Sequence, residues 1–135
     1  MKLYASAFSA LIILVLAILF GVRLGLYDTI PYLDKLFHLL GGATLAAFTL
    51  SWFEKDLDRT PRGIAILFAV GIAAIIGIFW EVGEASSGTL AKDALPIFYK
   101  YFHGGGLWDT LGDLVVDIVG ALILATAWLR NHRKN

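Results

Sequence analysis

The chain has 135 residues, 59% of them hydrophobic and 16% charged, with a mean hydropathy of +0.76, which is too apolar for an ordinary soluble domain and places it in lipid. Its 11 basic and 11 acidic residues cancel and form no basic patch, so nucleic-acid binding is excluded as a class. The absence of cysteine excludes disulfides, thiolate zinc sites and thiol catalysis.

A bilayer core about 30 Å thick needs roughly 20 apolar residues in a helix. Three uncharged runs reach or approach that length: Leu3 to Val22, Leu36 to Phe53 and Gly63 to Trp80. The first follows Met1 and Lys2 as a signal peptide would. It is nevertheless longer than the usual apolar core of about 7 to 15 residues, and Arg23-Leu24 stand where a small-residue cleavage site belongs, so it reads as a span. A fourth run, Ile118 to Leu129, is too short to cross unless its helix begins near Trp108, and that extension draws Asp109, Asp113 and Asp117 into the membrane. The expected fold is an all-α membrane protein, a single integral domain over residues 1–135, built as a four-transmembrane-helix bundle with spans at about 3–24, 34–53, 63–83 and 108–129.

Lysine and arginine set the orientation. With four spans, Lys2, Lys55, Arg59, Arg62, Arg130, Arg133 and Lys134 share one side, against Arg23, Lys35, Lys92 and Lys100 on the other, so both termini are expected in the cytoplasm. Tyr27 to Leu33 is then a tight outer connection and Glu54 to Arg62 a charged cytoplasmic turn. Ala85 to Leu107 is a long outer loop between helices 3 and 4. Its aromatics Phe98, Tyr99, Tyr101 and Phe102, followed by Gly104-Gly105-Gly106, suit either an interfacial lid on a hinge or an aromatic belt lying on the headgroups.

This topology gathers the polar residues at one end. Asp34 and His38 open the second span, Glu81 and Glu84 close the third, and Asp109, Asp113 and Asp117 open the fourth, all toward the outer leaflet. Spacings of i+3 and i+4 put each group on one helix face, and charged residues within a bilayer normally turn toward the bundle interior. Six carboxylates cannot all stay ionised together in a low-dielectric pocket. Arg23 and Lys35 are too few to balance them, which leaves a bound cation, shared protons or both.

Oxygen-rich ligands with one imidazole suit a divalent metal such as Mg²⁺, Mn²⁺, Ca²⁺ or Zn²⁺, with Asp34, His38, Glu81, Glu84, Asp109, Asp113 and Asp117 as the ligand set. Asp113, Asp117 and Glu81 are the residues placed to act as catalytic acid or base groups in metal-assisted hydrolysis or transfer. Neither a Glu-x-x-His pair of the di-iron bundle type nor a His-Glu-x-x-His motif is present. Each residue also has a plainer role: Asp34 as a helix cap with Lys35 snorkelling, His38 as a hydrogen-bonded interior residue, and Glu81 and Glu84 as solvated surface groups. Asp113 and Asp117, inside the only available fourth span, have the fewest alternatives. Gly21, Gly25, Gly41, Gly42, Gly112 and Gly120 read as positions of close helix contact in lipid.

Asp34-Lys35-Leu36-Phe37-His38, Glu81-Val82-Gly83-Glu84 and Asp113-Leu114-Val115-Val116-Asp117-Ile118-Val119-Gly120 resemble the motifs of the VanZ-like and YjdF-type families of small bacterial membrane proteins, over roughly Leu33 to Leu124. The resemblance implies a polytopic helical protein of the bacterial inner membrane, associated with cell-envelope processes and glycopeptide resistance. The chain departs from the VanZ-like pattern in having Glu84 and Asp117 where amides are common, so its cluster is more acidic.

Three classes of function fit these residues. One is a metal-binding membrane enzyme or binding protein for a lipid-linked, phosphate-bearing or envelope substrate. Another is a proton- or cation-coupled transporter, which needs a polar path toward Glu54 or Asp56. The third is a non-catalytic subunit or assembly factor, held by membrane-protein partners or by further copies of itself.

Overall fold

The computed structural model describes residues 3–90 and 106–132. Among them every element is helical: α1 (Leu3–Arg23), α2 (Leu26–Thr29), α3 (Leu33–Trp52), α4 (Glu54–Leu57), α5 (Arg62–Leu90) and α6 (Leu107–His132). Three helices are long and apolar enough to cross a membrane, over Ala5–Arg23, Arg62–Ser86 and Leu107–Asn131. The remaining long helix, α3, has 20 residues but carries Asp34, Lys35 and His38 in its first two turns. Large apolar side chains such as Ile13, Phe20, Leu67, Phe79, Val115 and Ile123 point outward, a surface that lipid rather than water accommodates.

Local signals explain the helix ends. Gly25, at φ 67°, supplies the left-handed residue that stops α1, and its N–H bonds the Val22 carbonyl. Tyr32 adopts the same conformation, at φ 60°, to turn the chain into α3. Pro61 starts α5, where its carbonyl accepts from Ile64 and Ala65. Gly106, at φ 88°, precedes α6 and accepts from Asp109 and Thr110. α5 continues as helix past the expected span end near residue 83, to Leu90. Glu84 and Ala85 are strong helix formers and no proline interrupts them, so nothing local ends the helix there. Of the long loop, Phe98, Tyr99, Tyr101, Phe102, Gly104 and Gly105 lie outside the described residues.

The bundle is organised around α3 and α6, its most extensive helix pair; α5 packs on both, and α1 packs on α3. Buried positions recur every fourth residue. On α3 they are His38, Gly42, Ala46 and Leu50; on α5, Ala65, Ala69, Ala73, Gly77 and Glu81; on α6, Asp113, Asp117, Ala121, Ala125 and Leu129. Alanine fills the middle and one end of this core because lipid offers no hydrophobic drive for helices to associate, and small side chains let backbones approach for dispersion contact. The approach is closest where two glycines face backbone. A Cβ on Gly42 would overlap the carbonyl of Asp117, and a Cβ on Gly120 would overlap the carbonyl of Leu39.

Candidate functional site

The α3–α6 seam fixes the relative height of the polar residues. Gly42 lies one turn beyond His38 on α3 and rests on the backbone of Asp117, so the imidazole and the Asp117 carboxylate meet directly. Gly77 brings α5 up to the same carboxylate, since a Cβ there would stand 2.5 Å from Asp117 Oδ2. One turn further along α5, Glu81 enters the same space. Sequence reasoning assigned Gly42 to packing and did not single out Gly77; the packing of both is what assembles the cluster.

His38 is the hub. Its Nδ1 faces Asp117 Oδ2 at 3.3 Å, while its Nε2 faces Glu81 Oε1 at 3.7 Å, Asp113 Oδ1 at 3.7 Å and Asp34 Oδ1 at 4.0 Å. His38, Glu81, Asp113 and Asp117 are all buried, Asp113 to 2% exposure. Glu81 is thus an interior residue, not a solvated one. Its Oε1 is buried without a hydrogen-bond partner, which costs about 1–3 kcal/mol for a neutral group and more for a charged one.

Lys35 does not snorkel away from the bundle. Its ammonium donates to Asp109 Oδ1 and Asp113 Oδ1, both at 2.6 Å, and reaches the Asp109 carbonyl at 3.4 Å. Asp34 does not cap α3: Tyr32 holds that position, no side-chain cap bond forms, and Asp34 stands in the first turn facing His38. Arg23 is exposed, and among the described residues the ion pairs use Lys35 and His38. Glu84 accepts from the Trp80 indole at 2.8 Å. On α2, burial together with the nearby Asp34 and Glu84 carboxylates holds the Tyr27 phenol well above its ordinary pKa, so it stays protonated as a donor.

All seven acid and histidine candidates therefore come together. Three overlapping sets present ligand atoms within 4.8 Å of one another: His38, Glu81 and Asp113; Asp34, His38 and Glu84; and Asp34, Asp109 and Asp113. The first set is wholly buried and draws one residue from each of α3, α5 and α6. Ligand atoms about 2.1 Å from a tetrahedral ion stand about 3.4 Å apart, close to the 3.7 Å from Nε2 to each of its two carboxylate partners. Those separations are too long for hydrogen bonds. The third set already contains the Lys35 ammonium. Sequence reasoning did not single out Trp80 or Tyr27; the i+4 spacing of Trp80 from Glu84 was the available signal for the former.

Away from the cluster the three helix faces turn apolar. Ala46, Ala65, Ala69, Ala73, Ala121, Ala125, Leu50 and Leu129 form one packed core. The buried hydroxyls of Thr49 and Ser51 bond carbonyls of their own helix. Among the described residues, no polar path leads from Asp117 toward Glu54 or Asp56.

A family described as predicted membrane protein (DUF2238) matches residues 2–134. No curated protein and no solved structure shows significant similarity to the chain.

Proposed function

The chain belongs to the DUF2238 family of predicted membrane proteins, and on that premise we propose that it is a four-span protein of the bacterial inner membrane whose acidic and histidine end binds a divalent cation. Through that cation it holds a phosphate-bearing, lipid-linked or cell-envelope substrate. The four-span arrangement with both termini cytoplasmic puts the site at the outer leaflet, and the envelope setting is the one implied by the VanZ-like and YjdF-type resemblance.

The observation that carries the reading is the unpartnered Glu81 oxygen. It sits with His38 Nε2 and Asp113 Oδ1 in a buried set of acceptors drawn from three helices. A divalent ion there would supply the missing positive charge, attract a phosphate and activate a water. The side chains divide the remaining work. Asp117, bonded to Nδ1, turns the imidazole so that Nε2 presents its lone pair to the set, as carboxylates do behind metal-binding histidines. Lys35 neutralises Asp109 and part of Asp113 and leaves a cation on the approach that a phosphate oxygen can meet. Asp34 and Glu84 stand beside the set as further ligands or as proton acceptors for a reacting water. The alanine-packed remainder of the core supports a site that binds at one surface in preference to a conduit.

Elemental mass spectrometry of detergent-purified protein, loaded in turn with Mg²⁺, Mn²⁺, Ca²⁺ and Zn²⁺, tests this directly. About one equivalent of metal in wild type, lost in Asp113→Asn, is the expected result. No retained metal under any loading would remove the cation from the account and leave shared protons as the compensation.

A further inference from the structure

A cavity of about 310 Å³ lies between α1, α3 and α5, beside the cluster. α1 packs on α3 but makes no extensive contact with α5, which leaves the space between them open. Its walls are apolar: Leu11, Leu14 and Ile18 on α1, Phe37 on α3, and Ile76 and Trp80 on α5. Asp34, His38, Asp117 and Tyr27 also line it, and Gly41, where a Cβ would stand 3.8 Å from Leu14 on the facing wall, leaves it open.

Its shape narrows the choice of occupant. The α3 lining runs from Asp34 to Leu45, about 16 Å along the helix axis. A cavity flanked by membrane-crossing helices, apolar along α1 and α5 and polar where Asp34 and His38 line it, suits an amphiphile with its tail between the helices and its head at the cluster.

We propose that this slot binds an alkyl or isoprenyl tail of a lipid phosphate, with the phosphate at the Asp34–His38 end. The proposal rests on the cation site above, because Asp34, Glu84 and Asp117 would repel an uncompensated phosphate and a divalent ion held at His38, Glu81 and Asp113 reverses the local sign. It adds the tail's location.

Trp80 is a built-in reporter. In the variant Trp52→Phe/Trp108→Phe/Trp128→Phe it is the only tryptophan left, and dodecyl phosphate brominated in mid-chain should quench it saturably when Mg²⁺ or Zn²⁺ is present. Inorganic phosphate at equal concentration should not displace the quencher, which separates a lipid phosphate from a free one. Leu14→Phe, which fills the slot, should weaken quenching by about tenfold or more while metal content stays at wild-type level. Leu14→Ala should shift preference toward hexadecyl phosphate.

Equal quenching in wild type, Leu14→Phe and Leu14→Ala would mean simple partitioning and would overturn the slot. Stronger quenching by brominated dodecyltrimethylammonium than by the phosphate with Mg²⁺ or Zn²⁺ bound would overturn the anionic head. Metal bound without any quenching defeats the slot and leaves the cation site standing, whereas no metal and no quenching defeats both.

Discussion

At one end of the α3–α5–α6 core the residue at every fourth position is acidic or histidine, and at the other end it is alanine, glycine or leucine, with the same spacing throughout. The two ends solve different problems. In the apolar half, small side chains allow backbone contact, and dispersion holds the helices where lipid gives no hydrophobic drive. In the polar half the same spacing brings six carboxylates, Lys35 and His38 together, where pairing determines what burial costs. The comparison teaches that the alanine–glycine half does the positioning: Gly42 and Gly120 set the register, and the polar half inherits it.

Breaking the register should have the largest effect. Gly42→Val and Gly120→Val put side-chain atoms where backbone of the facing helix already lies; each is expected to cost about 3 kcal/mol or more, read as a lower Tm in detergent and loss of the monodisperse species. Metal content should fall with it, because the cluster depends on the seam.

Next come the two buried aspartates, which the geometry separates. At the proposed cation site Asp113 is a direct ligand and Asp117 orients His38, so Asp113→Asn should lower metal affinity by at least about a hundredfold and Asp117→Asn by about tenfold to a hundredfold. Isothermal titration of both variants checks the order; Asp117→Asn weaker than Asp113→Asn would exchange their roles. Lys35→Met sharpens the comparison from the other side. Leaving Asp113 without its ammonium should cost about 1–2 kcal/mol, less than a fully buried pair because Lys35 is 29% exposed. Added divalent cation should restore part of the lost Tm, which a merely structural lysine would not permit. The smallest effect is expected for Glu84→Gln: the amide oxygen keeps the Trp80 bond, so stability should change by less than about 1 kcal/mol.

Much of the polar end was legible because charge inside a membrane helix is rare and helical periodicity says which faces share it. The i+4 steps through Asp34 and His38, and through Asp109, Asp113 and Asp117, were enough to place those residues on converging stripes, and the short run Ile118 to Leu129 required that α6 begin with buried acids. The continuation of α5 to Leu90 was not legible, since hydropathy marks where a span leaves lipid and helix propensity decides where the helix stops. Nor was the choice between Arg23 and Lys35 as the counter-charge, because it depends on which helix α3 packs against. The Glu81 oxygen left alone at the centre could not be read at all; hydrogen-bond accounting needs coordinates.

The short uncharged run of α6 bears on how the protein is made. A helix that carries Asp113 and Asp117 enters a bilayer poorly by itself, each aspartate near a span's centre costing about 3 kcal/mol on insertion scales. The partners of its two aspartates, Lys35 and His38, and the seat for Gly120 are on α3, which leaves the ribosome earlier. The order of synthesis therefore supplies α6 with a membrane-resident template, and a chain whose α3 has lost that surface should deliver its last helix to the quality-control proteases instead of to the bilayer.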